Sequence, residues 1–502
     1  MAAPMSRRAV LAAALAGSAA AAVSVPARGL FTPAAGAPAV IVKPAGERAR
    51  NIIFMVADGC GHGTLAMGEA YLKHTQGRSM HWRRISALPG SRRGLSYTAA
   101  ANSIITDSAA GSAAWSTGVK HNNGTLCIDP ADGRKLSPIL MRAKMAGKRV
   151  GVVSTTTITH ATPAGFYCNA TSRTLEEQIA GQLCERPIDV ALGGGSTFFS
   201  AADIASARLT HCGSAADLAA AMARFKAGDA GVTRVLGTFS KSHIPMMLER
   251  TAARTVSPSP ATPAHAEAMA EAAAAPSLLE MTVAALEVLA RDADGSDGFV
   301  LQIEGGRVDH GAHLNDGAGT LFDLLEFDTV IAHVHEWARG RSDTLVVVTT
   351  DHATGGLCPV LYGKAGLGGL TKLAGIKESF ERIFLGFDAA AAQKAPGLHA
   401  ADLLKAAERG LGFELGKDAE ATLGRAIARE KGPILQMQRQ PTSVLGAMVA
   451  NVTGIAFNTE DHTPEPVDLF AFGPGAETLG QAFENTEIHG WLCGLAGIPA
   501  AV

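Results

Sequence analysis

Carboxylates and imidazoles gather in one short stretch of the chain, residues 302–313. Asp309 and His313 are four residues apart, so they share one face of this segment if it is helical. A carboxylate and an imidazole at that spacing suit zinc, whereas Glu304 suits a harder cation such as magnesium. Glu304 ends an apolar run. Because a buried strand that ends in so many ionisable groups needs them paired or metal-bound, we favour a metal site here.

Other metal-capable side chains also lie next to apolar runs. Asp58 follows such a run, Asp351 and His352 follow another, and His462 precedes a third. Each pattern is weak alone, because Asp-Gly after a strand is a common turn and a histidine in a loop is ordinary. Together they indicate a site with more than one metal ion, if the fold brings them to one place.

Ser108 is the candidate nucleophile. It lies in Thr106-Asp107-Ser108-Ala109, ahead of small residues that Gly118 would end as a helix. A serine in this position is also a common helix N-cap. As a nucleophile it would carry a phosphoryl group that the helix dipole stabilises, and it would need a metal or a base to react.

A hydroxyl and a guanidinium follow the apolar run at residues 150–154. Thr162 lies in His160-Ala161-Thr162, and Arg173 follows a few residues later. Arginine suits phosphate because its planar fork donates two parallel hydrogen bonds. A surface role is the commoner one for a single arginine, so this pattern is weak by itself.

Short apolar runs that end in polar or glycine-rich residues predict parallel strands buried on both faces. The clearest are residues 52–57, 150–154, 188–192, 299–303 and 345–350. Helical patterns alternate with them, for example at residues 138–146 and 278–290. This predicts an α/β fold, doubly wound, with a mostly parallel central sheet and helices on both faces. The carboxyl ends of parallel strands share one edge, where ligands bind in such folds.

Residues that typically begin or end helices and loops add detail to this predicted fold. Ser137 is the predicted cap of the helix at 138–146, with Pro138 at its first position. Residues 256–276, rich in Pro and Ala, predict a surface loop. Over residues 357–445 the strand pattern lapses and apolar residues recur at helical spacing, so we predict a mostly helical insertion within one catalytic domain at 51–502.

The first 27 residues predict an export signal. Ser6-Arg7-Arg8 precedes an Ala-rich apolar stretch and then Val25-Pro26-Ala27, which is typical of a twin-arginine signal peptide. The stretch is short and weakly hydrophobic beside the roughly 20 residues of a spanning helix. We expect cleavage, an N-terminal extension over residues 28–50, no later membrane span, and a periplasmic or secreted protein without stable membrane insertion.

The balance of charge excludes some classes of partner. Lys and Arg total 44 against 46 for Asp and Glu, so no strong field of either sign favours nucleic acid or an anionic membrane. The seven cysteines form no tight metal-binding cluster, and their odd number leaves at least one unpaired. Because the chain has no strong overall charge, its specificity must lie in local sites.

In their order along the chain and in their residues, these motifs closely resemble those of the alkaline phosphatase family. The matching residues are Asp58, Thr106-Asp107-Ser108-Ala109, Glu304 to His313, Asp351-His352 and Asp461-His462-Thr463. The likeness runs from about residue 51 to the carboxyl terminus, and the insertion matches least. It implies hydrolysis of phosphate monoesters to alcohol and inorganic phosphate through a phosphoserine at Ser108.

The resemblance also implies two zinc ions and one magnesium ion. One zinc would be held by Asp309, His313 and His462. The second would be held by Asp58, Asp351, His352 and the Ser108 oxygen. Magnesium would be held by Asp58, Thr162 and Glu304. Arg173 would grip the phosphate, with Asp107 orienting it. Beside the ligands would lie His160 and His310, where some bacterial relatives carry Asp and Lys.

Two other functions would use the same residues. A phosphodiesterase or sulfatase of the same superfamily is the nearest enzyme, although the residues after Ser108 lack the Cys/Ser-x-Pro-x-Arg setting of a sulfatase. A non-catalytic protein that binds phosphate or metal would use the ligands without turnover, and Ser108 with Arg173 argues against it. The resemblance implies small phosphate monoesters as substrates, with broad specificity, and a homodimer, which is common in the family.

Overall fold

The computed structural model describes residues 48–255, 262–291, 296–360, 362–387, 389–430 and 440–499. The predicted signal peptide at 1–27 lies outside these residues, as does the predicted extension up to residue 47. The remaining segments form the sheet, its covering helices and most of the insertion.

The described part of the chain contains 14 β-strands. In chain order they are β1 (Asn51–Val56), β2 (Arg92–Tyr97), β3 (Arg149–Thr157), β4 (Val190–Gly194), β5 (Thr210–Cys212), β6 (Val235–Thr238), β7 (Phe299–Glu304), β8 (Thr344–Thr349), β9 (Ala353–Thr354), β10 (Cys358–Pro359), β11 (Ile455–Ala456), β12 (His462–Thr463), β13 (Val467–Phe472) and β14 (Ala482–Glu484). A 10-stranded sheet has the order β14-β2-β13-β8-β1-β7-β3-β4-β6-β5. From β8 to β5 the strands are parallel, whereas β13 is antiparallel to β8 and β2.

Helices fill the connections between strands. They are α1 (His62–Gln76), α2 (His81–Ser86), α3 (Ser108–Thr117), α4 (Ile139–Met145), α5 (Ala161–Gly165), α6 (Glu176–Glu185), α7 (Ala201–Ser206), α8 (Ala215–Lys226), α9 (Met247–Thr255), α10 (Pro263–Ala274), α11 (Leu278–Leu289), α12 (Arg307–His313), α13 (Gly317–Ala338), α14 (Gly363–Ala374), α15 (Phe380–Ile383), α16 (Ala389–Lys394), α17 (Pro396–Leu411), α18 (Ala419–Ile427), α19 (Pro441–Thr453) and α20 (Asn485–Ala496). Short 3-10 turns occur at Ser196–Phe198 and Ala476–Thr478.

Both faces of the sheet are covered, because its central strands are apolar on both sides. In β1, Ile53 and Met55 pack into one hydrophobic cluster, and Ile52 and Phe54 pack into the other. All four side chains are fully buried. This confirms the predicted doubly wound α/β fold with a mostly parallel central sheet, and the five predicted strands correspond to β1, β3, β4, β7 and β8.

The start of α4 differs from the prediction. Pro138 occupies the N-cap position with extended backbone, so Ser137 does not cap the helix. The first helical amide, that of Ile139, instead donates to the hydroxyl of Ser116 at 2.9 Å. The cap therefore comes from a different helix, α3, which no local pattern could indicate.

Where the structure describes it, the insertion predicted at 357–445 is mostly helical, as expected. It contains α14 to α18 and the first turn of α19. It also contains β10, whose residues Cys358 and Pro359 pair antiparallel with β11 beyond the insertion. The insertion is thus tied back to the segment that leads to His462.

Helices α10 and α11 correct two expectations. Residues 263–274 are helical rather than a loop, because Thr262 caps α10 and Pro263 takes its first turn. By length and composition, Pro263–Leu289 is also apolar enough to cross a membrane, with a mean hydropathy of 1.5, although we expected no such segment. Its most apolar window is 61% buried inside the protein, which is typical of a core helix.

All seven cysteines of the chain are free thiols. Burial raises the pKa of the Cys127 thiol to about 12 and that of Cys212 to about 11, so both stay protonated at neutral pH. The fold is therefore held together by its core rather than by disulfide bonds.

Candidate active site

The carboxyl edge of the sheet gathers acidic side chains from three adjacent strands. Asp58 follows β1, Glu304 ends β7 and Asp351 follows β8. These strands are neighbours in the order β8-β1-β7, and all three carboxylates are fully buried. Buried carboxylates this close together need cations near them.

The charges of these carboxylates oppose one another. Burial first, and then the charges of Asp351 and Asp309, raises the pKa of Asp58 well above its usual range. Burial raises the pKa of Glu304 to about 7. Within the described ranges, Asp58 Oδ1, Glu304 Oε1 and Asp351 Oδ2 are buried without a hydrogen-bond partner. Orphaned carboxylate oxygens of this kind fit the ligand set of a divalent cation.

Two imidazoles face each other beside this edge. Nε2 of His313 lies 3.0 Å from Nε2 of His462. Nδ1 of His313 lies 2.5 Å from the carbonyl oxygen of Glu460, and Nδ1 of His462 lies 2.8 Å from that of Thr106. Because a carbonyl oxygen only accepts, each Nδ1 carries a proton and the two Nε2 atoms point at one another. Two Nε2 atoms this close need a proton or a metal ion between them. Asp309 outweighs burial and raises the pKa of His313 to about 9, so His313 carries that proton when no metal ion is bound. Metal-ligating histidines are oriented in this way, with Nδ1 bonded and Nε2 turned to the site.

Asp309 completes this first group. Its Oδ2 lies 3.3 Å from Nε2 of His313, and its Oδ1 lies 3.7 Å from Nε2 of His462. Ligand atoms of the three residues all lie within 4.8 Å of one another. Burial opposes ionisation of Asp309, but the charge of His313 outweighs it and holds the pKa of Asp309 well below its usual range. One carboxylate and two imidazoles are a typical zinc donor set.

His352 joins a second group to Ser108. Nδ1 of His352 lies 3.2 Å from the hydroxyl of Thr354, which donates to Asp309 at 2.5 Å. The hydroxyl therefore accepts from Nδ1, and Nε2 of His352 is left to face the acidic edge. The oxygen atoms around Nε2 are Asp351 Oδ2 at 3.0 Å, Ser108 Oγ at 3.1 Å and Asp58 Oδ1 at 3.7 Å. Asp309 also lies within reach, since Asp58, Asp309 and His352 form a compact group.

Ser108 is the first residue of α3 and not its N-cap. Asp107 holds the N-cap position, where its carboxylate accepts from the amide of Ala110 at 2.9 Å. The hydroxyl of Ser108 is thus not used in capping, although the residue is only 1% exposed. It lies at the positive end of the helix dipole, which favours a negative group there.

Arg173 is held in place by the residue before Ser108. Its Nη1 donates to Asp107 Oδ2 at 3.0 Å, and its Nη2 donates to Nε2 of His160 at 3.0 Å. Asp107 Oδ2 also accepts from the amide of Gly124 at 3.0 Å, so the carboxylate is fixed independently of Arg173. The structure therefore places an oriented guanidinium beside the candidate nucleophile.

A third group lies on the other side of Asp58. Thr162 donates to Asp58 Oδ2 at 3.1 Å. Asp58, His160 and Glu304 have ligand atoms within 4.8 Å of one another. Nδ1 of His160 is buried and has no hydrogen-bond partner among the residues that the structure describes. His160, which we expected beside the ligands, thus lies next to Asp58 and Glu304.

Sequence reasoning missed His243. Its ring lies against those of His160 and His310, with centroids 5.4 and 4.4 Å apart. Burial, with the nearby charges of Arg307 and Arg173, lowers the pKa of His243 to about 3. Burial likewise lowers the pKa values of His160 and His310 well below the usual range, so all three rings are neutral. The signal was available, because His243 closely follows the end of a strand, β6.

Comparison with known proteins adds an independent line. A model of the alkaline phosphatase family matches residues 49–497. The fold is similar to the crystal structure of Thermus thermophilus alkaline phosphatase, with 30% sequence identity, a TM-score of 0.78 and coverage of 94% of this chain and 96% of that one. Alkaline phosphatase 4 of Bacillus subtilis is 28% identical over 463 residues, 87% of each protein. The repressible alkaline phosphatase of Saccharomyces cerevisiae is 31% identical over 344 residues, and this match spans 57% of its length.

Removing divalent cations should destabilise the fold, because the buried carboxylates and the imidazoles beside them would lose the ion that binds them together. We expect a chelator to lower the unfolding temperature of the purified protein and zinc to restore it. A ligand at a thousandfold excess over its Kd stabilises by about 4 kcal/mol. Scanning calorimetry with and without zinc is the measurement.

Asp309→Asn should lose most of this response to zinc, while Asp402→Asn, which alters an exposed carboxylate of α17, should keep it. An unfolding temperature that ignores the chelator in the unsubstituted protein would contradict the metal assignment.

Proposed function

Because this chain belongs to the alkaline phosphatase family of metal-dependent phosphomonoester hydrolases, we propose that it hydrolyses phosphate monoesters through a phosphoserine formed on Ser108. One observation carries the proposal. The buried hydroxyl of Ser108 lies 3.1 Å from Nε2 of His352, beside two groups of metal-capable side chains. A serine needs such neighbours to act as a nucleophile near neutral pH.

We propose two zinc ions and one magnesium ion as cofactors. The first zinc would be held by Asp309, His313 and His462. The second would be held by Asp58, Asp351, His352 and Ser108. Magnesium would be held by Asp58, Thr162 and Glu304. When bound, such ions lower the pKa of a hydroxyl or of water and neutralise charge on the phosphoryl group. The orphaned oxygens of Asp58, Asp351 and Glu304 support this assignment.

Ser108 would form the bond to phosphorus while the ester bond breaks and the alcohol leaves. Water would then attack the same phosphorus, releasing inorganic phosphate and restoring the hydroxyl of Ser108. Two successive in-line displacements leave the configuration at phosphorus unchanged. The amino-terminal end of α3 would stabilise the phosphorylated serine, because backbone amides and the helix dipole favour an anion there.

Arg173 would bind two phosphate oxygens that do not take part in bond breaking. Its guanidinium already has a fixed direction, because Nη1 is bonded to Asp107. A pre-oriented fork loses less entropy on binding an oxyanion than a mobile side chain does. Recognition of the phosphoryl group alone would leave the alcohol free to vary, so we propose broad specificity for small phosphate monoesters.

We also propose that the protein works in the periplasm or outside the cell, and as a homodimer. The support for export is the twin-arginine pattern around Arg7 and Arg8.

Replacing both arginines with Lys should leave the protein in the cytoplasmic fraction, which cell fractionation and immunoblotting would detect. Unchanged export would remove this part of the proposal. Sedimentation of the purified chain tests the dimer.

Ser108→Ala should lower turnover of an aryl phosphate by orders of magnitude and abolish the acid-stable phosphoserine trapped by quenching with labelled substrate. Zinc content should largely persist, since the other ligands remain. Ser112→Ala is the matched control, because that buried hydroxyl of the same helix bonds to the carbonyl of Ala161. Label found on another residue would refute the assignment, as would faster turnover of a diester or a sulfate.

Arg173→Ala should weaken phosphate inhibition and turnover together, because a charge-assisted bidentate contact contributes about 1.5–3 kcal/mol. Lysine should restore only part of the loss, since it lacks the fork. The measurement is the inhibition constant of phosphate, with Arg134→Ala at an exposed arginine as the control. An inhibition constant that does not change would remove Arg173 from the site.

A further inference from the structure

A buried guanidinium connects the helical insertion to the histidines of the site. Arg307, in the first turn of α12, is only 2% exposed. Its Nη1 donates to Nδ1 of His310, and its Nη2 donates to the carboxylate of Glu381 in the insertion. No sequence pattern indicated the contact between Arg307 and Glu381, because the two residues lie 74 positions apart.

Glu381 has a fixed position although its side chain is half exposed. It lies in α15, whose preceding amide, that of Ser379, donates to Glu249 at 2.9 Å. The amide of Phe380 donates to Asp316 at 2.7 Å. Asp316 is also the N-cap of α13, the helix that follows the Asp309 and His313 segment. The short helix that carries Glu381 is therefore seated on two buried carboxylates beside the site.

The contact with Arg307 determines how His310 can act. A guanidinium only donates, so Nδ1 of His310 must accept and the neutral ring carries its proton on Nε2. The ring of His310 lies 5.3 Å from that of His160, which accepts from Arg173. Arg307 therefore makes His310 a hydrogen-bond donor close to the guanidinium proposed to bind phosphate.

We propose that Glu381 is a positioning residue for phosphate recognition, acting through Arg307 on His310. Glu381 holds Arg307 against His310, and His310 then donates from Nε2 to the bound phosphate. The inference rests on the proposed function of the site. It assigns to the insertion a part in binding phosphate.

Loss of the Glu381 charge would leave Arg307 buried without its counterion. Another carboxylate is close enough to attract it. Burial raises the pKa of Asp323 to about 7, and the charge of Arg307 is among those that oppose this rise. Among the described residues, Asp323 Oδ1 has no hydrogen-bond partner, although Nη2 of Arg250 lies 3.9 Å from it. The attraction of Asp323 would then no longer be balanced by Glu381, so Arg307 would be held less firmly against His310.

The test is the affinity of inorganic phosphate for the full-length, zinc-loaded protein, measured by isothermal titration calorimetry and as an inhibition constant. Glu381→Gln should weaken phosphate binding about three- to tenfold, the range of a single hydrogen bond. The ratio kcat/KM should fall by a similar factor, and zinc content should not change. Glu381→Asp should recover part of the affinity. Glu420→Gln, at an exposed carboxylate of α18, is the matched control and should behave as the unsubstituted protein.

Arg307→Lys tests the route. If Glu381 acts through Arg307, adding Glu381→Gln to Arg307→Lys should weaken phosphate binding little further. Additive losses would overturn the proposal, as would unchanged or tighter phosphate binding in Glu381→Gln, or loss of zinc from it. Absence of monoesterase activity in the unsubstituted protein would instead refute the proposed function. Calorimetry with phosphate would still decide the role of Glu381 in that case.

Discussion

The structure depends on buried carboxylates that meet at one edge of the sheet. Parallel strands β8, β1 and β7 end side by side, and each delivers an acidic side chain to a place without solvent. Burying an unpaired charge costs several kcal/mol. The raised pKa values of Asp58 and Glu304 express this cost. Divalent cations would remove this energetic cost. The stability of the sheet edge and the chemistry of the site would therefore depend on the same ions.

Residues outside the acidic edge decide what the histidines can do. The carbonyl groups of Glu460 and Thr106 and the hydroxyl of Thr354 each occupy one ring nitrogen and leave the other free. Thr106 also belongs to the segment that carries Ser108. The loop that positions the candidate nucleophile thus also orients His462, and a shift of that loop would disturb both.

The phosphate-facing side is arranged differently, around cations and neutral rings. Arg173 and Arg307 each donate to one histidine, and burial keeps His160, His243 and His310 uncharged. Each guanidinium also has one carboxylate partner, Asp107 or Glu381. Positive charge is therefore held in fixed directions rather than spread over mobile side chains, which suits recognition of a small oxyanion.

Much of the fold and the residues of the site could be predicted because they depend on local order. Apolar runs specify central strands, and polar residues just after them must lie at the carboxyl edge of a parallel sheet. That rule gives the location of Asp58, Glu304, Asp351 and His352 at this edge, although each pattern is weak evidence of a metal site by itself. The resemblance of short motifs to a known family added Ser108, Arg173 and His462 by the same local evidence.

What only the tertiary structure decided are contacts between segments far apart in the chain. Ser116 caps α4 in place of Ser137, Asp107 leaves the hydroxyl of Ser108 free, and Arg307 meets Glu381 of the insertion. A hydrogen bond depends on distance and direction in space, and residue types along the chain set neither for distant partners. The sequence by itself therefore determined which chemistry is available, whereas the packing of the chain determined which nitrogen carries a proton and which guanidinium faces which ring.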